Sequence, residues 1–198
     1  MEQNSLYNRD DAKAILEGQL RESYGRVVYS HKTHEKCAVI LLKRLSIIKW
    51  VQIWLAVIST GSFVLSIFKL GDIGTAIGVI ASTLLLGINT YTKDYDLGDA
   101  GQKHKQTANE LWLIREKYLS LIADLAIGDK SIEDVQKSRD ILMEKLHFAY
   151  TKAPSTTSKA YEKAQKSLKY QEEMTFSDKE IDAFLPKELK RSRVESIQ

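Results

Sequence analysis

The sequence has few of the residues that cross-link a chain or interrupt a helix. Cys37 is the only cysteine among 198 residues, so no disulfide can form within the chain. Only two prolines occur, Pro154 and Pro186, and both lie in the last quarter of the sequence. Because proline disrupts helix interiors, nothing before residue 154 prevents the formation of long helices.

The motifs of common enzyme classes are also missing. The sequence has no glycine-rich phosphate loop, no GxSxG nucleophile elbow and no HExxH zinc motif, and its carboxylates are scattered. The net charge of +3 is too small to indicate direct nucleic-acid binding. No short apolar run follows a basic N-terminus, so we expect no cleavable signal peptide. We also expect no enzymatic activity and no cofactor.

Charge is absent from two long stretches, residues 50–68 and 73–92. The first has 19 residues and would form a helix about 28 Å long, close to the roughly 30 Å of a bilayer's hydrocarbon core. The four residues between the runs suffice only to join two antiparallel helices. The alternative is a soluble hairpin, but the chain has too few other apolar residues to cover one. We therefore predict a two-transmembrane hairpin in a lipid bilayer.

The positions of lysine and arginine predict its orientation. The loop between the two runs carries only Lys69, whereas basic residues cluster on both outer flanks. They are Lys32, Lys36, Lys43, Arg44 and Lys49 before the first run, and Lys93, Lys103 and Lys105 after the second. The positive-inside rule then places both termini in the cytoplasm.

Small and polar residues recur at helical spacing within the two runs. Gly74, Gly78 and Ser82 form a small-xxx-small pattern, which predicts close helix packing or oligomerisation. One face of the first run carries a set of polar side chains: Gln52, Ser59, Ser62 and Ser66. These residues either pack the hairpin against itself or line a pore. Since two helices cannot enclose water, a pore would require several copies of the chain.

Outside the membrane, the periodicity of apolar residues predicts an all-α fold without strands. A helix capped by Asn8 or Asp10 should start near residue 10 and continue directly into the first membrane run. A helix after the second run should end near Gly128. Because the loop is short, we expect residues whose numbers sum to about 142 to face each other. The hairpin would then continue as a cytoplasmic antiparallel helical stalk.

The C-terminal part should form shorter helices. Ser131 is the expected cap of a helix that runs to about Thr151. Pro154 breaks the chain, and a polar helix should follow to about Met174. A capping box at residues 177–180 predicts a last short helix. We accordingly divide the chain into an N-terminal helix (1–49), the hairpin (50–92), cytoplasmic helices (93–153) and a polar C-terminal region (154–198).

Two groups of stalk side chains are candidate binding sites. The first comprises His31, His34, Cys37 and His104, which we expect near one another, with His104 opposite residue 38. Their spacing matches no standard zinc pattern, so we expect no metal site. The second is a set of cations that would suit an anion or a signal molecule, or simply a solvated stalk: Arg21, Arg26, Lys32, Lys36, Arg115 and Lys117.

The order of several segments resembles the SLATT family of two-transmembrane effector domains from bacterial conflict systems. These segments are residues 24–38, 92–96, 104–118 and 180–186. The resemblance implies a bacterial inner-membrane effector of an antiviral, abortive-infection type system. It implies a homo-oligomer that forms a pore or otherwise disrupts the membrane.

The same resemblance implies partners for the chain. A nucleotidyltransferase or a reverse transcriptase is the expected kind of system partner, with a nucleotide as the signal. Because the sequence shows no separate sensor domain, the receiver would be a partner or the stalk itself. The alternative is a membrane anchor or adaptor that forms no pore and recruits a partner protein.

Overall fold

The computed structural model describes residues 2–67, 72–186 and 190, apart from the side chains of residues 2–9 and of Ser66. Within these ranges every regular element is an α-helix, and there is no strand. This confirms the predicted all-α fold. Of the predicted loop at residues 69–72, residues 69–71 lie outside the described residues, and Asp72 is already the first residue of the next helix.

The first helix, α1, is unusually long, running from Glu2 to Ile67 without interruption. The prediction that the N-terminal helix enters the membrane run directly is therefore confirmed. The predicted start near residue 10 is wrong, because Asn8 and Asp10 lie inside the helix. Residues 2–9 contain neither proline nor glycine, so their backbone can continue the helical hydrogen bonding toward the N-terminus.

The second helix, α2, spans Asp72–Asp94 and returns antiparallel to α1. Two helices of the chain are long and apolar enough to cross a membrane. Large apolar side chains on their outer surfaces are exposed, including Trp54, Phe63 and Leu86. Such exposure is expected where the surrounding medium is lipid. The predicted hairpin of apolar helices is confirmed.

A short break at Tyr95 and Asp96 separates α2 from α3, which spans Leu97–Ile127. The Asp96 side chain accepts a hydrogen bond from the Asp99 amide at 2.8 Å and caps the new helix. Gly128 ends it in the left-handed conformation, with φ 79°. The predicted end near Gly128 is therefore confirmed, and α3 pairs with α1 as the second half of the stalk.

Three shorter helices follow within the described residues: α4 at Ile132–Lys152, α5 at Ser158–Tyr170 and α6 at Asp178–Phe184. Ser131 caps α4 by accepting a hydrogen bond from the Asp134 amide at 3.1 Å, as predicted. The predicted capping box of Ser177 and Glu180 is present at the start of α6. The helix expected to reach Met174 ends earlier, at Tyr170.

The hydrophobic core lies in the stalk, away from the membrane hairpin. It is built where α1, α3 and α4 meet. Two hydrogen bonds join α4 to α1: Arg139 donates to Gln19, and the Tyr150 hydroxyl donates to Ser30. These pairs show that α4 runs parallel to α1. The core comprises Leu16, Leu20, Val27, Leu111, Ile114, Tyr118, Leu121, Leu125, Val135, Leu142 and Ala149.

Candidate functional site

The two membrane helices meet through small and polar side chains. A Cβ added to Gly78 would lie only 2.9 Å from the Ser62 Cβ, so the backbones can approach this closely only because residue 78 is glycine. The hydroxyls of Ser59 and Ser82 are 2.6 Å apart and hydrogen-bonded. Hydrogen bonds between side chains of neighbouring helices add to the packing that holds a membrane hairpin together.

A further polar contact lies near the stalk end of the hairpin. The Gln52 amide donates a hydrogen bond to the Asn89 side-chain oxygen at 2.8 Å. Residues paired in this way have numbers that sum to 141, as do those of Ser59 and Ser82. The sum of about 142 expected from the short loop is therefore a good guide to the register.

The structure thus brings the two predicted sets of membrane residues together within one chain. Gly78 and Ser82 of α2 face Ser62 and Ser59 of α1. A Cβ added to Gly74 would lie 3.9 Å from the Ser62 carbonyl oxygen. The side chain of Ser66 lies outside the described part of the structure. A role of these residues in oligomerisation or in lining a pore stays a prediction.

One side of this interface opens into a groove of about 300 Å³. Its walls include five hydroxyl side chains, two of which, Thr75 and Thr83, the sequence analysis did not single out. The spacing of Thr75, Val79 and Thr83 by four was the available signal, since such residues share one helix face. The groove is lined by Ser59, Ser62, Phe63, Thr75, Gly78, Val79, Ser82 and Thr83.

The predicted anion-contact residues are only partly brought together: Lys32, Lys36 and Arg115 all contact the segment after α5. Arg21 and Arg26 each pair with a carboxylate one turn earlier, Glu17 and Glu22 respectively. Arg115 pairs with the neighbouring Glu116. Their role as signal contacts stays a prediction, and an incoming anion would have to compete with these carboxylates.

Lys32 is the most enclosed of the paired lysines. Its Nζ lies 2.7 Å from a Glu173 carboxylate oxygen and 2.8 Å from one of Glu35. Burial lowers the pKa of Lys32, but the hydrogen bonds to Glu173 and Glu35 outweigh it and raise the pKa above its ordinary value. The hydrogen bond from Lys32 in turn lowers the pKa of Glu173 to about 2. Lys36 also contacts Glu173, at 3.1 Å, so these charges tie the segment after α5 to α1.

Histidines form a buried cluster between α1 and α3. The Nδ1 atoms of His34 and His104 are 2.9 Å apart, so the register places His104 against His34 and not against residue 38. Burial lowers the pKa of His34 to about 4 and lowers that of His104, and both rings are therefore neutral at pH 7. Burial also lowers the pKa of His31, whose Nδ1 is buried without a hydrogen bond. Cys37 is buried nearby on α1.

The histidines and Cys37 are not arranged as ligands of a metal ion. Across residues 2–67 and 72–186, no group of three or more His, Cys, Asp and Glu side chains is placed to hold a metal ion. The His34–His104 contact instead joins the two stalk helices through a neutral hydrogen bond, in which one ring donates and the other accepts.

An apolar two-helix hairpin joined to a charged helical stalk defines a class of protein, the two-transmembrane helical membrane proteins. Within that class, the chain belongs to the SMODS and SLOG-associating 2TM effector domain family 4, whose family model matches residues 16–180. The resemblance to SLATT domains is therefore confirmed, and the family is one of membrane effectors in bacterial conflict systems. Neither the curated proteins nor the solved structures compared with this chain give a match.

Proposed function

We propose that this chain is the membrane effector of a bacterial antiviral system of the abortive-infection type. It resides in the inner membrane with both termini in the cytoplasm, and it acts without enzymatic chemistry. On a signal from a partner enzyme, such as a nucleotidyltransferase or a reverse transcriptase, copies of the hairpin assemble and open a pore or disrupt the bilayer. Membership of the effector family supports this role.

The hydroxyl-lined groove is the observation that carries the assembly step. Its wall combines Ser59, Ser62 and Thr83 with the small Gly78 at a depth where lipid tails would otherwise lie. Polar and small surfaces in hydrocarbon are better covered by another helix or by water than by lipid. Several hairpins arranged around their grooves would supply both, since each groove would face a neighbour or a shared aqueous path.

A leakage assay tests the proposal directly. Purified full-length protein in dye-loaded liposomes should release dye when extract from phage-infected cells is added, and release less with extract from uninfected cells. Thr83→Leu should fill the groove and suppress leakage at least several-fold. Leu86→Ile, a change at a side chain exposed outward on the same helix, is the matched control and should leak normally.

Two results would count against pore formation. One is full leakage by Thr83→Leu, and the other is the absence of dye release under every condition although the protein is inserted. The second result would favour a membrane anchor that recruits a partner protein. The exposed aromatic rings of Phe176 and Phe184 around α6 favour that alternative, because exposed aromatic residues often mark protein contacts.

The anchor alternative has its own test. Removal of residues 175–198 keeps α5 and the Lys32–Glu173 ion pair but deletes both aromatic residues. An anchor that works through this region would lose its protection against phage and still insert its hairpin. An effector that acts only through the membrane would retain dye release.

A further inference from the structure

A cavity of about 380 Å³ lies in the stalk, where α4 ends and α5 begins against α1. This volume is at the small end of the range typical of small-molecule sites, about 300–1,000 Å³. Two helices and the irregular segment between them form its walls around one face of α1. The cavity is lined by Tyr29, Ser30, Thr33, His34, Tyr150, Ala153, Pro154, Ser155, Thr156 and Tyr161.

The lining is polar but contains no charged side chain. Seven of its members carry a hydroxyl. The hydroxyls of four of them make no hydrogen bond to another described residue: Tyr29, Ser155, Thr156 and Tyr161. By contrast, the Tyr150 hydroxyl bonds Ser30 at 2.8 Å and the Thr33 hydroxyl bonds the Tyr29 carbonyl at 2.7 Å. Free hydroxyls without charges favour a neutral ligand that both donates and accepts hydrogen bonds.

Aromatic rings form the wall nearest to solvent. The rings of Tyr29 and Tyr161 have centroids 6.0 Å apart and planes inclined by 30°, and Tyr150 lines the same cavity. The faces of tyrosine rings stack on flat aromatic rings, and this stacking accepts any nucleobase because every base has a π-face. A flat heteroaromatic ring can therefore stack against this wall.

His34 lies at the inner end of the cavity and is almost fully buried, with 4% of its surface exposed. Its Nδ1 is held by His104, while its Nε2 has no partner among the described residues. Because the ring is neutral, Nε2 donates when Nδ1 accepts, and accepts when Nδ1 donates. His34 can match either kind of edge on a ligand if the shared proton moves between the two Nδ1 atoms while solvent exchanges protons at the Nε2 atoms, so that each ring keeps one N–H.

We propose that this cavity binds the base of a nucleoside or nucleotide, stacked on the tyrosine wall with an edge hydrogen-bonded to His34 and the free hydroxyls. Since no cation lines the cavity, any phosphate groups remain outside it in solvent. This binding rests on the proposed function, because it would make the stalk the receiver of the partner enzyme's signal, but it is measured separately from membrane activity, so either can fail alone. A bound base would also contact the histidine pair that joins α1 to α3.

Saturation-transfer NMR on the full chain in detergent micelles tests the proposal with adenosine, guanosine, cytidine and uridine as probes. At least one nucleoside should bind saturably, with stronger transfer to its base protons than to its ribose protons. The matching monophosphate separates a nucleoside from a nucleotide as the ligand. Its dissociation constant should lie within a few-fold of that of the nucleoside if the phosphate stays in solvent. Free ribose, which lacks a base, should neither bind nor compete.

A pair of tyrosine variants on the same helix locates the site. Tyr161→Ala should weaken nucleoside binding about tenfold, the loss expected for one stacking partner. Tyr170→Ala, at a tyrosine that is 80% exposed and lies outside the cavity, should bind normally. If Tyr161→Ala fails to fold, Tyr161→Phe keeps the ring and removes only the hydroxyl, so it should weaken binding by a few-fold at most, and a larger loss would contradict stacking on this ring.

Three outcomes would overturn the proposal. They are no saturable binding of any nucleoside to the folded chain at millimolar concentration, equal competition by ribose, and equal loss of binding in the Tyr161 and Tyr170 variants. None of these depends on dye release, so a leakage-competent protein that fails them would still support the proposed membrane function.

Discussion

Gly78→Ala offers the sharpest test of the membrane hairpin. The new methyl group would lie 2.9 Å from the Ser62 Cβ, roughly 1 Å closer than the optimal carbon–carbon separation of about 3.5–4.0 Å. The helices must separate to relieve this clash, and overpacking of this kind costs about 1–3 kcal/mol. Separation would also stretch the 2.6 Å Ser59–Ser82 hydrogen bond, worth about 0.6 kcal/mol within a membrane. We therefore expect a destabilisation of about 2–3 kcal/mol.

Reversible unfolding in mixed micelles, followed by circular dichroism during an SDS titration, would measure this change. Gly74→Ala is the matched control, since its Cβ would lie 3.9 Å from the nearest atoms and should cost little. Ser62→Gly removes the opposing Cβ, so the double variant should recover part of the lost stability and give a favourable coupling energy. Equal effects at Gly74 and Gly78, or no coupling with Ser62, would refute the proposed close approach.

The stalk gives three further predictions. Acidification from pH 7 to pH 5 should destabilise the folded chain by about 2 kcal/mol. The pKa of His34 is about 4 in the folded chain and roughly 6.5 in the unfolded chain. The unfolded chain therefore takes up the proton first, and stability is lost as the pH falls from about 6.5 toward 4. Thermal unfolding of His34→Gln should lose most of that pH dependence, whereas Gln at the exposed His147 should keep it. Ser131→Ala should cost about 1 kcal/mol by removing the α4 cap. Amide hydrogen exchange in the first turn of α4 should then be faster, and unchanged exchange would contradict this role of Ser131. Leu111→Ala, at a fully buried side chain, should cost about 2–5 kcal/mol in denaturant titrations, and the exposed Leu113→Ala should cost far less; similar losses would contradict the assigned core.

The general fold could be predicted because several independent signals agree. Two uncharged runs fix the hairpin, a short connection fixes the antiparallel pairing, and Gly128, Ser131 and Ser177 mark helix ends by local backbone chemistry. The start of α1 could not be predicted, since Asn8 and Asp10 are good caps by residue type alone. Whether a polar residue caps a helix depends on whether the preceding residues stop being helical, and nothing in residues 2–9 forces a stop.

The candidate sites depend on contacts that periodicity does not report. Glu173 reaches Lys32 and Lys36 across most of the sequence, so their ion pairs follow from how α5 packs and not from local spacing. The cavity of Tyr29 and Tyr161 includes residues 153–156, whose irregular backbone has no repeating pattern. His104 was expected beside residue 38, but its ring meets that of His34, one helical turn away. Gly101 still faces Leu41 and Leu42 as the sum predicts, so the sum reports which backbone positions oppose each other but not which side chains meet.

The unbroken α1 has a mechanical consequence. Its residues 2–49 extend about 70 Å from the start of the first uncharged run, at the 1.5 Å rise of an α-helix. If that part of α1 moves as a rigid rod, a tilt of about 10° at the bilayer surface shifts its far end sideways by about 12 Å, roughly one helix diameter. Conversely, under that condition, a rearrangement that shifts the far end of α1 sideways by one helix diameter corresponds to a tilt of the rod of only about 10° at the bilayer surface.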